Sequence, residues 1–106
     1  MGDGARYFVY VLRPARPAML AEGLTTAERE TVGAHLTYLQ RLAAEKVVIL
    51  FGRTDTSDER TFGLVIFRAG SEAEARGVME GDPAVARGVM TAEVFPYRLL
   101  HVEAPA

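Results

Sequence analysis

The sequence predicts one α+β domain spanning residues 1–106, with the element order β-α-β-β-α-β folded as a ferredoxin-like, four-stranded antiparallel sheet. Three observations carry that prediction. Four stretches rich in β-branched and aromatic residues are separated by two stretches that each open on a helix-capping pattern. The chain has 106 residues, 49% of them apolar, which suits a single core. The third is Pro96, inside the last predicted strand: it has no N–H to give a ladder, so its strand belongs at a sheet edge. In the ferredoxin-like sheet, with spatial order 4-1-3-2, the fourth strand is an edge.

Each element has its own signal. Arg6 to Leu12 (RYFVYVL) reads as the first strand, apolar on both alternating faces. Arg13 to Gly23, with Pro14 and Pro17, reads as a loop. Thr25-Thr26-Ala27-Glu28 is a T-x-x-E capping box opening a helix to about Lys46, with Val32, Leu36, Leu39, Leu42 and Ala43 along one face. Val47 to Thr54 is the second strand, 55–59 a polar connection, and Thr61 to Arg68 the third strand. Ser71 to Glu74 is a second capping box, for a helix to about Gly81. Asp82-Pro83 starts a short helical turn, with Asp82 as cap and Pro83 at the first helical position. Ala92 to Val102 completes the sheet.

Right-handed crossovers place both helices on one sheet face and leave the other bare. Both strand faces are nevertheless apolar, so two copies are expected to pack sheet to sheet as a homodimer.

Composition excludes much chemistry. With no cysteine there is no thiol nucleophile, disulfide or thiolate metal site. The two serines, Ser57 and Ser71, fit a polar turn and a helix cap, and no G-x-G-x-x-G or G-K-[ST] loop occurs. Neither His35 nor His101 begins a metal-ligand pattern, so no metal or cofactor is expected. A net charge of −2 points away from nucleic acid, and the apolar runs are too short to span a bilayer or serve as a secretion signal. The expectation is a cytoplasmic protein that binds a small molecule.

One constellation survives. His35 stands three residues after Val32 and four before Leu39, on the inward stripe of the first helix. Such a histidine is commonly a satisfied core residue, but Asp82 closes the second helix on the same sheet face. One carboxylate can cap the Pro83 turn and also orient an imidazole. An imidazole held in one tautomer by a carboxylate is a general base, and with no nucleophile nearby its natural work is proton abstraction: elimination, isomerisation or tautomerisation. Arg53, ending the second strand, is a candidate anchor for a substrate carboxylate or phenolate. Tyr7, Tyr10, Phe62, Met90 and Thr91 are the further candidates for substrate contact, and Glu93 is another polar group on the last strand.

These residues make the chain resemble the YCII-related (YciI-like) family of the dimeric α+β barrel superfamily. The similar segments are His35 to Leu39, Phe51 to Thr54, Thr61 to Phe67 and, most specifically, EGDPAVARGVMTAEVFPYR from Glu80 to Arg98. The resemblance implies a ferredoxin-like dimer with a His–Asp site on His35 and Asp82. The family's role is largely unassigned, and some relatives act on chlorinated aromatics as dehydrochlorinases. Members often carry Gly-Pro where this chain has Gly52-Arg53, and a glycine near Glu45-Lys46.

The expected function is therefore a cofactor-independent lyase or isomerase acting on a small cyclic or aromatic acid. The alternatives are a non-catalytic small-molecule binding or regulatory domain, and, by fold analogy alone, a cofactor-independent monooxygenase. On the first reading, His35→Ala and Asp82→Ala remove turnover and leave thermal stability nearly intact.

Overall fold

A computed structural model describes residues 6–103. Its elements are β1 (Arg6–Pro14), α1 (Ala18–Glu22), α2 (Thr26–Ala44), β2 (Val48–Arg53), β3 (Gly63–Ala69), α3 (Glu72–Gly81), α4 (Pro83–Ala86) and β4 (Met90–Tyr97). The four strands form one antiparallel sheet in the order β2-β3-β1-β4, which is the ferredoxin-like order, and Pro96 lies on the β4 edge opposite Phe8. The last strand ends at Tyr97, short of the expected Val102.

The first capping box closes as the sequence suggests, whereas in the second the Glu74 carboxylate accepts from Gly70 N–H and not from Ser71 N–H. The Thr25 hydroxyl accepts from Glu28 N–H while Glu28 Oε1 accepts from Thr25 N–H, and the Ser71 hydroxyl accepts from Glu74 N–H. Helix α2 ends in a turn where Lys46 N–H bonds Ala43 C=O and Val47 N–H bonds Leu42 C=O, with Lys46 at φ +68°. That left-handed position usually takes glycine.

The segment read as a loop after β1 contains α1. Pro17 precedes a run of helix formers (AMLAE), of which Met19 is buried. Arg16 ties this segment to α2: its Nε and Nη2 donate to the two carboxylate oxygens of Glu28, each at 2.8 Å.

Strand register separates the two sheet faces. On the helix-covered side lie the rows Val48–Phe67–Phe8, Phe51–Val65–Tyr10–Val94 and Arg53–Gly63–Leu12–Ala92. Phe8, Tyr10, Leu12, Val48, Val65 and Phe67 there join Leu39, Leu42, Ala75 and Met79 from the helices in one core. The other face carries the row Leu50–Ile66–Val9–Phe95 across all four strands, flanked by Tyr7, Val11, Leu64 and Tyr97. In β2 a register shift between Val48 and Leu50 breaks simple alternation, so Val48 and Phe51 face the helices together while Leu50 faces away. The buried stripe of α2 is Thr31, His35, Leu39 and Leu42. Leu36, expected in it, is 42% exposed.

Candidate active site

The junction of α3 and α4 sets the site. Helix α3 stops at Gly81, Asp82 turns to an extended conformation, and Pro83 starts α4. The Asp82 carboxylate therefore sits where it caps α4, with Oδ1 accepting from Ala84 N–H at 2.9 Å. It is also fully buried, which an ordinary cap is not. Its charge is matched by three donors: Ala84 N–H, the Tyr10 hydroxyl at 2.7 Å from Oδ2, and His35 Nδ1, which lies 2.8 Å from Oδ1 and 2.9 Å from Oδ2.

That arrangement favours one tautomer of the histidine. With Asp82 as a carboxylate, which only accepts, His35 Nδ1 carries the proton the two share. Nε2 then presents a lone pair. It has no hydrogen-bond partner among the described residues, yet no buried side-chain nitrogen or oxygen among them lacks a partner, so Nε2 is open to the cavity that His35 lines.

The cavity has a volume of about 280 Å³ and lies between α2 and the Arg53 end of the sheet. For scale, an engineered cavity of ~150 Å³ holds benzene, so this one fits a single substituted ring. Its walls are mainly apolar, from residues including Leu12, Leu36, Phe51, Val65 and Met90. Polar groups enter at three places, His35, Arg53 and Thr61. Arg53 makes no salt bridge among the described residues; its side chain's one hydrogen bond among them is a long 3.5 Å approach to Thr54 C=O. Gly63, across from it on β3, has its Cα so close to β2 that a side chain would meet Gly52 O at 3.2 Å. Thr61 ends a chain of hydroxyls, Thr54–Thr56–Thr61, with links of 2.7 and 2.8 Å.

Tyr10 is not a wall of this cavity. It is wholly buried beneath the carboxylate, and burial first, then the charge of Asp82, push its phenol well above the ordinary tyrosine value. Tyr38 is also raised, by burial and then by Asp82, while its hydroxyl donates to Val78 C=O at 2.7 Å.

Of the expected site residues, the structure brings together His35 and Asp82, with Arg53, Phe62 and Met90 lining the same cavity as His35. Three others stand elsewhere. Tyr10 supports Asp82 and does not face a ligand. Tyr7 pairs across the sheet with Arg68 and Tyr97 on the far face, because strand alternation separates it from Tyr10. Thr91 lies opposite Arg13 on that same far face, beside Glu93. Thr61, and Leu36 and Phe51 as walls, carry no role in the sequence pattern and enter the site only through the fold. For Leu36 the one signal is an apolar side chain on the helix flank that the core does not cover. Among the described residues no group of three or more His, Asp or Glu side chains could hold a metal ion.

The model of the YCII-related domain matches residues 7–98. The chain belongs to the YCII-related family. Two solved structures are similar to this YCII-related domain. One is 5-chloro-2-hydroxyhydroquinone dehydrochlorinase (TftG) from Burkholderia phenoliruptrix AC1100 in complex with 2,5-dihydroxybenzoquinone. It is 24% identical, with a TM-score of 0.61 over 86% of this chain and 93% of that one. The other is NE2512, a protein of unknown function from Nitrosomonas europaea, 18% identical with a TM-score of 0.54 over 99% of both chains. No curated protein matches the chain in sequence. The fold of this YCII-related domain is thus α+β and ferredoxin-like, and no helix of the described residues is long and apolar enough to cross a membrane.

Proposed function

We propose that this YCII-related domain is a cofactor-independent lyase or isomerase that takes a proton from a small cyclic or aromatic acid. His35 Nε2 is the base, Asp82 holds the ring, and Arg53 receives the substrate's anionic group. The observation that carries the reading is the buried Asp82 carboxylate on Nδ1, which leaves Nε2 as an unpartnered acceptor in an apolar, ring-sized cavity. In that cavity an anion has one cationic partner, Arg53, and low polarity strengthens the pairing. Nε2 removes a proton from a ring carbon or hydroxyl. The released electron pair shifts within the ring in an isomerisation, or expels a leaving group such as chloride in an elimination. The substrate then loses HCl overall, as chloride plus the proton that Nε2 passes to water.

The dehydrochlorinase relative supplies the first substrate to try. Chloride release from 5-chloro-2-hydroxyhydroquinone and from other chlorinated hydroquinones is followed by ion chromatography. Turnover in the wild type and a loss of ~10²–10⁴-fold in His35→Gln is the expected result for general-base catalysis. If these compounds bind but neither chloride nor an isomer forms, the domain is a binding module and the proposal fails. Oxygen uptake with a quinol substrate would instead favour a monooxygenase.

The same reading includes a homodimer. The far face carries Leu50, Phe95 and Tyr97 at 51%, 45% and 42% exposure around a half-buried centre of Val9 and Ile66. An apolar row across a whole sheet favours a second copy over water.

A further inference from the structure

We propose that Tyr10 is a positioning residue of the site: by donating its hydroxyl to Asp82, it limits how strongly the carboxylate holds His35 and so tunes the imidazole as a base. The inference rests on His35 being the base, and it adds a residue from the middle of the sheet to the machinery.

Space alone does not call for the hydroxyl. Tyr10 occupies the central strand between Val65 and Val94, with its ring edge-on to Phe67 at 5.6 Å, and a phenylalanine fills the same volume. The hydroxyl reaches Asp82 Oδ2 at 2.7 Å, and both residues have no exposed surface. On the other oxygen, Oδ1 takes the Ala84 N–H. The imidazole Nδ1 lies almost equally far from both, at 2.8 and 2.9 Å. Each carboxylate oxygen thus has one donor besides the histidine, and the negative charge is shared among three partners.

Removing the Tyr10 hydroxyl leaves Oδ2 with the imidazole alone in a site closed to water. A carboxylate that loses a hydrogen bond to its charged form becomes a stronger acceptor. It then stabilises the imidazolium more. The surroundings offer no replacement. From α2, His35 and Tyr38 face Asp82, but the Tyr38 hydroxyl is bound to Val78 C=O and Arg41 lies over the Tyr38 ring at 5.5 Å. From α4 comes the Ala84 N–H, and no charged side chain of α3 or α4 among the described residues hydrogen-bonds to Asp82. Arg53 of β2 lines the neighbouring cavity, and Arg68 of β3 and Glu93 of β4 stand on the far sheet face.

The test needs no substrate. The chain has two histidines, so NMR of the imidazole resonances follows His35 with exposed His101 as internal reference. Tyr10→Phe should raise the midpoint of the His35 titration by about half a unit to one unit relative to His101. Tyr38→Phe, of equal size and without a bond to Asp82, should leave it within about 0.2 units. Fluorotyrosine incorporation makes the Tyr10 hydroxyl a better donor and should move the midpoint down, which keeps the test open if Tyr10→Phe does not fold. A Tyr10→Phe protein that melts lower but titrates as wild type, or a fluorotyrosine protein with no downward shift, would make Tyr10 structural and overturn the proposal. Absence of any turnover in the wild type would sink the proposed function and leave this titration result standing.

Discussion

Replacing Asp82 by alanine and by asparagine separates what the carboxylate does for the fold from what it does for His35. In Asp82→Ala the Ala84 N–H loses its cap partner, and the Tyr10 hydroxyl is stranded where neither it nor the lost carboxylate had any exposed surface. A lost cap costs about 1 kcal/mol. An orphaned buried donor costs roughly 1–3 kcal/mol. Together with the void left by the side chain, a loss of about 3–5 kcal/mol follows. In a domain of this size that lowers Tm by roughly 15–25 °C. The sequence reading, which expected the alanine variant to keep nearly full stability, did not foresee a carboxylate with three donors. Asparagine keeps one oxygen to cap Ala84 and turns an NH2 toward Tyr10 and His35. It should cost only about 1–2 kcal/mol. Its amide donates to His35 Nδ1, so the proton moves to Nε2 and the base is lost, a change expected to lower kcat on the order of 10³–10⁴-fold. Differential scanning calorimetry, initial rates and imidazole ¹⁵N shifts read the three effects. An asparagine variant with wild-type rates, or an alanine variant with wild-type Tm, would refute the reasoning.

Three more outcomes follow from the structure. Arg53→Gln should raise KM for anionic ligands by on the order of 10–100-fold, with little change in Tm, in titration calorimetry and kinetics; an equal loss for neutral ligands would mean that Arg53 shapes the cavity and does not bind charge. Hydrogen bonding to Arg16, then to Thr25, lowers the Glu28 carboxyl from its ordinary 4.5 to about 2. A depressed carboxyl stabilises the fold above its unfolded value and loses that contribution as pH falls through its folded one. Wild type should therefore melt higher than Glu28→Gln at neutral pH, with the two Tm curves closing between about pH 4.5 and 2; a constant gap across that window would contradict the assignment. Ile66→Asp, at the centre of the far-face row, should convert a dimer to monomers in analytical ultracentrifugation without touching the cavity; a monomeric wild type would remove the dimer.

The four strands and the two long helices were legible because each carried a local signal that tertiary packing did not override. Two capping boxes, two-faced apolar strands and the edge proline agreed on one topology. Helix α1 was hidden by the prolines around it, although Pro17 followed by AMLAE is a permissible helix start. The site was half legible. His35 and Asp82 could be paired because both crossovers put their helices on one sheet face, and because Asp82-Pro83 marked a helix junction. Tyr7 and Thr91 were assigned to the cavity although alternation along β1 and its register with β4 turn them to the opposite face. Applying that alternation to Tyr7 and Tyr10 shows that both cannot meet one ligand. The function of Tyr10 was out of reach, since it depends on a partner 72 residues away in a buried bond that no spacing encodes. The shift in β2 was equally silent, and it alone turns Phe51 and Arg53 toward the cavity.

The central claim is that His35 Nε2 takes a proton from a bound ring. Deuterium incorporation into the ligand in D2O, followed by NMR on candidate cyclic and aromatic acids, measures that step directly and before any leaving group departs. The account predicts exchange at a ring position with wild-type protein and none above the solvent rate with His35→Gln, while the ligand still binds both. Exchange that persists in His35→Gln, or a ligand bound in the cavity whose ring protons never exchange and from which wild-type protein forms no product, would contradict it.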